Sequence, residues 1–149
     1  SDVIIAERKA TFRHPEQTLG VFTLLGGVHR VAERAGKTRA MKWALTAEEV
    51  SATEMLEAGV ITEMVDNGKA LERAMEWARE LADGPTHAHA AHKELLRLWS
   101  AGGVPAADQG ISDLTRKIFG TRDAQAGIDS AVNALAKGVE RPALKFSGA

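Results

Sequence analysis

The sequence begins with two short strand-like runs and is then almost wholly helical in its hydrophobic pattern. Val3–Ala6 and Ala10–Phe12 are short and apolar. Val60–Val65 adds a third run with β-branched residues, and Asp66-Asn67-Gly68 ends it. This mixture predicts an α/β fold in which helices contribute most of the residues.

Start and stop signals define three short helices between these runs. Gly26–Ala35 and Thr38–Leu45 have helical periodicity. Ser51 and Glu54 have the spacing of a capping box. We therefore expect a third helix over Ala52–Ala58, which a glycine then ends.

Four amphipathic stripes at helical spacing follow the last strand-like run. A segment with two glycines and a proline separates the second stripe from the third, and we expect Asp123 to cap the fourth helix. The stripes lie within Leu71–Ala82, Ala88–Trp99, Ile111–Phe119 and Ile128–Leu135. We therefore divide the chain into residues 1–66, which contain the strands, and a helical region, residues 67–149.

Glu16 is the candidate catalytic residue. It lies between a predicted strand and the Gly26-Gly27 turn that opens a helix. A carboxylate there points from a rigid element into the cleft that the turn borders, and partial loss of solvation suits it to proton transfer. Taken alone, the stretch favours an exposed loop glutamate, since most glutamates are solvated. His14 either tunes this carboxylate or, more simply, is a surface histidine before a proline.

Charge and cysteine content exclude several classes of partner. The 149 residues carry a formal net charge of −1, which gives no electrostatic footprint for nucleic acid or an anionic membrane. The absence of cysteine excludes disulfides and a thiol nucleophile, and it fits a reducing, cytoplasmic location. No apolar run approaches the ~20 residues of a membrane span, and the first residues do not resemble a signal peptide, so we expect a soluble protein.

Other motif-like features do not meet the requirements of the sites they suggest. Gly36-Lys37-Thr38 lacks the leading glycine of a phosphate-binding loop. His89 and His92 share a helix face, but no third ligand can be named, so we favour a polar helix surface and predict no metal site. The three tryptophans are dispersed without basic neighbours, which favours packing over base stacking.

A series of short motifs resembles, in order and spacing, the second half of the enoyl-CoA hydratase/isomerase (crotonase) superfamily. The stronger motifs are Asp2-Val3-Ile4-Ile5-Ala6-Glu7 to Ala10-Thr11-Phe12, Pro15-Glu16-x-x-Leu19-Gly20, Gly26-Gly27-x-x-Arg30-Val31, Gly36-x-x-Arg39-Ala40, Leu45-Thr46 and Ser51-Ala52 to Ala58-Gly59-Val60. Weaker ones are His92-Lys93-Glu94-Leu95-Leu96, Thr121-Arg122-Asp123-x-x-x-Gly127-Ile128 and Arg141-Pro142 to Phe146-Ser147-Gly148. No single motif is specific, and the ordered series carries the resemblance. It covers the whole chain but only about the last half of a family member.

The resemblance implies a crotonase-like α/β fold, in which the C-terminal part of a spiral of ββα turns is followed by a helical oligomerisation region. The implied activity of a full-length protein is hydration or double-bond isomerisation of an enoyl-CoA thioester, with no cofactor beyond the CoA of the substrate. Glu16 matches the family's glutamate that protonates the α-carbon. Pro15, Leu19 and Leu24 match positions that line the acyl pocket. A homo-oligomer, either a trimer or a hexamer, is the implied assembly.

The sequence departs from the family pattern before the glycine pair. Where family members commonly have a proline and small residues, this chain has Val21-Phe22-Thr23-Leu24-Leu25. These larger apolar groups would narrow or reshape the implied acyl pocket.

The implied active site is incomplete, because the family's second glutamate and both oxyanion donors would lie before Ser1. We therefore expect little activity from this chain alone. The alternative is a non-catalytic acyl-CoA-binding or oligomerisation module that keeps the C-terminal half of the fold. Since the first strands have no evident sheet partners within the chain, we also expect it to associate with the absent half or with copies of itself.

Two residues of the tail, Lys145 and Phe146, are implied to contact CoA. The family's C-terminus reaches the CoA nucleotide, where a lysine can meet a phosphate and a phenylalanine can stack on the adenine. The alternative is a frayed, solvated terminus.

Overall fold

Two pairs of short strands organise the first part of the chain. In the computed structural model, which describes all 149 residues, β1 (Ile5–Glu7) pairs in parallel with β4 (Glu63–Val65). β2 (Thr11–Phe12) pairs antiparallel with β3 (Val50–Ser51). The expectation that the first strands lack partners within the chain is therefore wrong, because segments distant in sequence supply the partners.

The fourth strand is shorter than the predicted run Val60–Val65. The N–H groups of Val60 and Ile61 both donate to the carbonyl of Met55, at 2.9 and 3.3 Å, and so close the end of the preceding helix. Their side chains are buried in the core. Because these two N–H groups are bonded to the end of the helix, they are not available to pair with β1. The strand therefore starts at Glu63.

The three predicted helices between the strands are present. They are α1 (Gly27–Ala35), α2 (Lys37–Thr46) and α3 (Ala52–Glu57). Ser51 Oγ accepts a hydrogen bond from Glu54 N at 3.2 Å, as the capping signal predicts. A short 3₁₀ helix, Pro15–Leu19, was not predicted from the sequence.

The core of this part of the chain is built around Trp43, which is 1% exposed. It packs with Val50 from β3, Met55 from α3 and other small apolar side chains. The indole Nε1 is buried and has no hydrogen-bond partner. Packing alone therefore holds this side chain.

The chain forms two compact units, Ser1–Glu76 and Trp77–Ala149, and the division falls within α4 (Ala70–Ala82). The predicted division after residue 66 falls earlier, at the turn before α4. The second unit continues with α5 (Thr86–Phe119) and α6 (Arg122–Lys137).

Helix α5 is interrupted where the sequence predicts a stop. Gly102 and Gly103 have non-helical backbone angles, and Gly103 has a φ of +69°, which favours glycine. Pro105 follows in the first turn of the second half, where its missing N–H costs least. The two halves then pack together, since Gly110 lies so close to Leu98 that a Cβ would overlap it.

The predicted cap of the last helix is wrong. Thr121 is the N-cap of α6, and its Oγ1 accepts from Ala124 N at 3.2 Å. Asp123 is the second residue of the helix, and its carboxylate accepts a hydrogen bond from Ser147 N instead.

Trp43→Ala should lower the free energy of unfolding by about 3–5 kcal/mol, because it leaves a large cavity in the core. Trp43→Phe should cost clearly less, since it removes an indole N–H that has no partner. Urea unfolding followed by circular dichroism measures both, with Trp99→Phe as the control because Trp99 is 50% exposed. Equal losses for Trp43→Ala and Trp99→Phe would contradict this account of the core.

Candidate active site

Three of the predicted site residues, Pro15, Glu16 and Leu19, share the 3₁₀ helix that follows β2. Pro15 at its first position presets the backbone for such a turn. Gly20 ends the turn with a φ of +70°. The sequence therefore places the candidate carboxylate on a short, well-defined element directly after a strand.

Glu16 is not an exposed loop glutamate. Its side chain is 31% exposed, and its Oε2 atom is buried without a hydrogen-bond partner. The nearest basic atom is Nδ1 of His14, at 4.0 Å, which is too long for a hydrogen bond. The carboxyl group is therefore neither an ordinary surface group nor part of a close ion pair, which suits it to a role in proton transfer.

The glycine pair at the start of α1 allows close packing beside this carboxylate. A Cβ on Gly27 would lie 2.7 Å from Thr23 Cγ2 and 3.0 Å from His14 Cε1. Only glycine fits between these side chains without displacement of one of them. Gly26, with a φ of +79°, turns the backbone into the helix.

Several apolar side chains in and just after the turn are exposed and do not pack into the core of their own unit. Leu19 is 77% exposed and Leu24 is 73% exposed. Phe22 and Leu25, in the loop between the 3₁₀ helix and α1, are also exposed. The first unit thus presents apolar surface close in sequence to a half-buried carboxylate.

Lys145 and Phe146 belong to the second unit. Lys145 is exposed, whereas Phe146 is half-buried. Phe146 lines a cavity of about 360 Å³ whose walls also include Arg141, Phe119 and Ile128. An aromatic face, apolar walls and one guanidinium therefore share this cavity.

Asp123 holds the tail, a contact that sequence reasoning missed. Its Oδ1 accepts from Ser147 N at 2.8 Å and from Ser147 Oγ at 2.9 Å, and its Oδ2 accepts from Gly148 N at 2.8 Å. The tail is therefore fastened to the start of α6 instead of fraying. The pattern of an acidic residue in the first turn of a helix also fits capping, so no local signal distinguishes the two roles.

The charge state of Asp123 depends on this contact. Hydrogen bonds, first of all from the backbone N–H of Ser147, hold the pKa of the Asp123 carboxyl below its ordinary value, although burial opposes them. The ionised form is thus the one that binds the tail.

No group of three or more His, Asp or Glu side chains is arranged to hold a metal ion. His87, His89 and His92 occupy the first half of α5 without forming such a cluster. None of the helices is long and apolar enough to cross a membrane.

Comparison with known proteins identifies a family. The family model described as enoyl-CoA hydratase/isomerase matches residues 1–136, and the end of the tail lies outside that match. The 2,3-dehydroadipyl-CoA hydratase of Escherichia coli is 30% identical over 129 residues, which are 87% of this chain and 51% of that protein. A probable mitochondrial enoyl-CoA hydratase of Dictyostelium discoideum is 31% identical, over 88% of this chain and 47% of that protein.

The fold of the chain also matches the folds of solved structures. A probable enoyl-CoA hydratase/isomerase from Mycobacterium abscessus superimposes with a TM-score of 0.84 at 28% identity and covers 100% of this chain. This chain covers 55% of that one. The chain thus spans about half the length of the curated relatives it matches.

The contact between Asp123 and the tail should open only in acid. Because folding lowers the pKa of Asp123, the contact stabilises the folded chain fully at pH values above the ordinary aspartate pKa of ~4. This stabilisation is lost as the pH falls through the lowered pKa. The amide NMR signals of Ser147 and Gly148 should move together in that acid range. Asp123→Asn is the control in which this titration should vanish. Signals that move near the ordinary aspartate pKa would contradict the contact.

Proposed function

The chain belongs to the enoyl-CoA hydratase/isomerase family, and from this we propose that it supplies the C-terminal half of an enzyme acting on an enoyl-CoA thioester. The reaction is hydration of the double bond or its isomerisation. In both reactions an enolate-like state forms at the thioester, and a carboxylate moves a proton at the α-carbon. In this proposal Glu16 is that carboxylate.

The observation that supports this role most is the buried, unpartnered Oε2 of Glu16. A polar atom that is buried without a partner costs free energy in the folded state, so its presence calls for an explanation. A structural glutamate would be expected to pair with a nearby cation. The neighbouring cation Arg13 instead donates from Nε to the carbonyl of Ala47.

The acyl chain of the substrate is proposed to lie against the apolar side chains around the turn. Pro15, Leu19 and Leu24 are the residues assigned to this contact. Leu19 and Leu24 are largely exposed, and covering them with an acyl group would remove apolar surface from water. The bulky segment before the glycine pair favours a short or slender acyl chain.

The remaining parts of the active site are proposed to come from outside this chain. These parts are a second glutamate and two backbone N–H donors for the thioester oxygen. Loss of a single such donor typically lowers the rate by about 10²–10³. The 149 residues by themselves are therefore proposed to be inactive.

We also propose that the helical region mediates assembly into a homo-oligomer, a trimer or a hexamer. The second unit leaves many large apolar side chains exposed, among them Leu96, Trp99 and Leu135. Exposed apolar groups of this size favour burial against another surface. A cytoplasmic location, expected from the absence of cysteine, remains a proposal as well.

Glu16→Gln keeps the shape of the side chain and removes the titrating group. In the complete protein that contains this chain, turnover of an enoyl-CoA should fall by on the order of 10²–10⁴, while substrate binding changes little. Glu57→Gln, at an exposed position of α3, is the matched control. Turnover of Glu16→Gln within a few-fold of the parent would exclude this role and favour a non-catalytic module.

The tail is proposed to contact the nucleotide of CoA through Lys145 and Phe146. Stacking of an aromatic side chain on a base contributes about 1–3 kcal/mol. Truncation after Pro142 should therefore weaken binding of a CoA thioester and leave binding of a pantetheine thioester, which lacks the nucleotide, almost unchanged. Calorimetry on the complete protein compares the two ligands. Equal losses would indicate a packing role for the tail.

A further inference from the structure

We propose that His14 is a positioning residue for Glu16: its Nδ1–H holds the buried Oε2 of the carboxylate and so directs the other oxygen, Oε1, toward the bound substrate. This inference rests on the proposed function and assigns a role to a second side chain of the same site. The sequence left two interpretations of His14: a residue that tunes Glu16, or a surface histidine before a proline. The structure excludes the second, because the His14 side chain is largely buried.

The burial of the pair supports this role. The His14 side chain is 13% exposed, less than the 31% of Glu16. Although His14 is the N-cap of the 3₁₀ helix, its side chain makes no capping hydrogen bond. Its ring is therefore buried beside the carboxylate without the local role that its position in the helix offers.

The backbone around the ring is built to hold it there. Gly27 lies against the ring, since a Cβ on it would come within 3.0 Å of Cε1 and 3.5 Å of Nδ1. The backbone of His14 itself has φ −106° and ψ 86°. The ring is thus confined on the side that Gly27 occupies.

Neither Arg13 nor Arg30 takes this place. The guanidinium of Arg13 donates to the carbonyl of Ala47, and that of Arg30 donates to the carbonyl of Leu25 at 2.8 Å. Both cations are engaged with backbone oxygens. The histidine ring is the basic group left next to the carboxylate.

The present separation of 4.0 Å between Nδ1 and Oε2 is longer than a hydrogen bond. Hydrogen bonds between catalytic groups are often long without substrate and shorten in the reacting complex. A closing movement of about 1 Å brings the two atoms to a normal hydrogen-bond distance of about 2.8–3.0 Å. With Oε2 held, Oε1 is the oxygen that carries the proton to or from the α-carbon.

The first test compares three substitutions in the complete protein with crotonyl-CoA as substrate. His14→Ala removes the donor, and since a misplacement of about 1 Å can cost about 10² in rate, kcat should fall by roughly 10² with little change in KM. His14→Asn carries an amide N–H at the position of Nδ1 and should recover most of kcat. His14→Gln carries its amide one bond further out and should not recover it.

The second test separates this inference from the proposed function. If His14 acts through Glu16, then the double variant His14→Ala/Glu16→Gln should be no slower than Glu16→Gln alone. Multiplied losses, or a kcat for His14→Ala within a few-fold of the parent, would overturn the positioning role while the role of Glu16 stands. Parental turnover of Glu16→Gln would overturn the proposed function itself.

Folding is checked on the same proteins. His92→Ala, at an exposed position of α5, is the matched control and should leave kcat and the urea midpoint unchanged. If His14→Ala does not fold, the comparison of His14→Asn with His14→Gln decides the question. Equal kcat values for these two variants would overturn the proposal.

Discussion

The parallel pairing of β1 with β4 closes a long segment of chain that contains three α-helices and the 3₁₀ helix, and most of the first unit lies within that segment. The contact extends beyond the ladder, since Thr62 N donates to Ile4 O at 2.7 Å and Arg8 N donates to Val65 O at 2.9 Å. Closing a loop of this length costs conformational entropy that local hydrogen bonds do not offset. The apolar cluster around Trp43 offsets this entropy cost, because it buries apolar side chains from the strands and helices of the closed segment.

The second unit is held together differently. Within it only Ala134 and Asp123 are buried, although its helices carry regular apolar stripes. Its contacts include the packing of the two halves of α5 at Gly110 and the binding of the tail by Asp123. Amphipathic helices with so little internal core are stabilised by burial against further surfaces. The exposed stripes are consistent with the proposed assembly.

The candidate site depends on contacts of a few ångströms. A glycine at position 27 leaves room for the ring of His14, and the turn of Pro15–Leu19 holds Glu16 half-buried with one oxygen unpartnered. Neither feature requires the rest of the family's fold. The chemistry does, because a carboxylate moves a proton at an α-carbon only where other groups stabilise the charge that develops on the thioester oxygen.

Local patterns in the sequence were sufficient to place the helices, the interruption at Gly102-Gly103 and the cap at Ser51, because periodicity and capping act over a few residues. They also placed Glu16 between a strand and a glycine turn. They did not identify the partners of β1 and β2, shorten the strand before Asp66, or show that Asp123 binds the tail. The strand pairing and the contact of Asp123 depend on residues far away in sequence, whereas the shorter strand depends on hydrogen bonds that Val60 and Ile61 make to the preceding helix. The burial of His14 is likewise a tertiary effect, because Gly27 comes close to its ring only when the chain has folded, and it is this contact that brings a histidine before a proline into the candidate site.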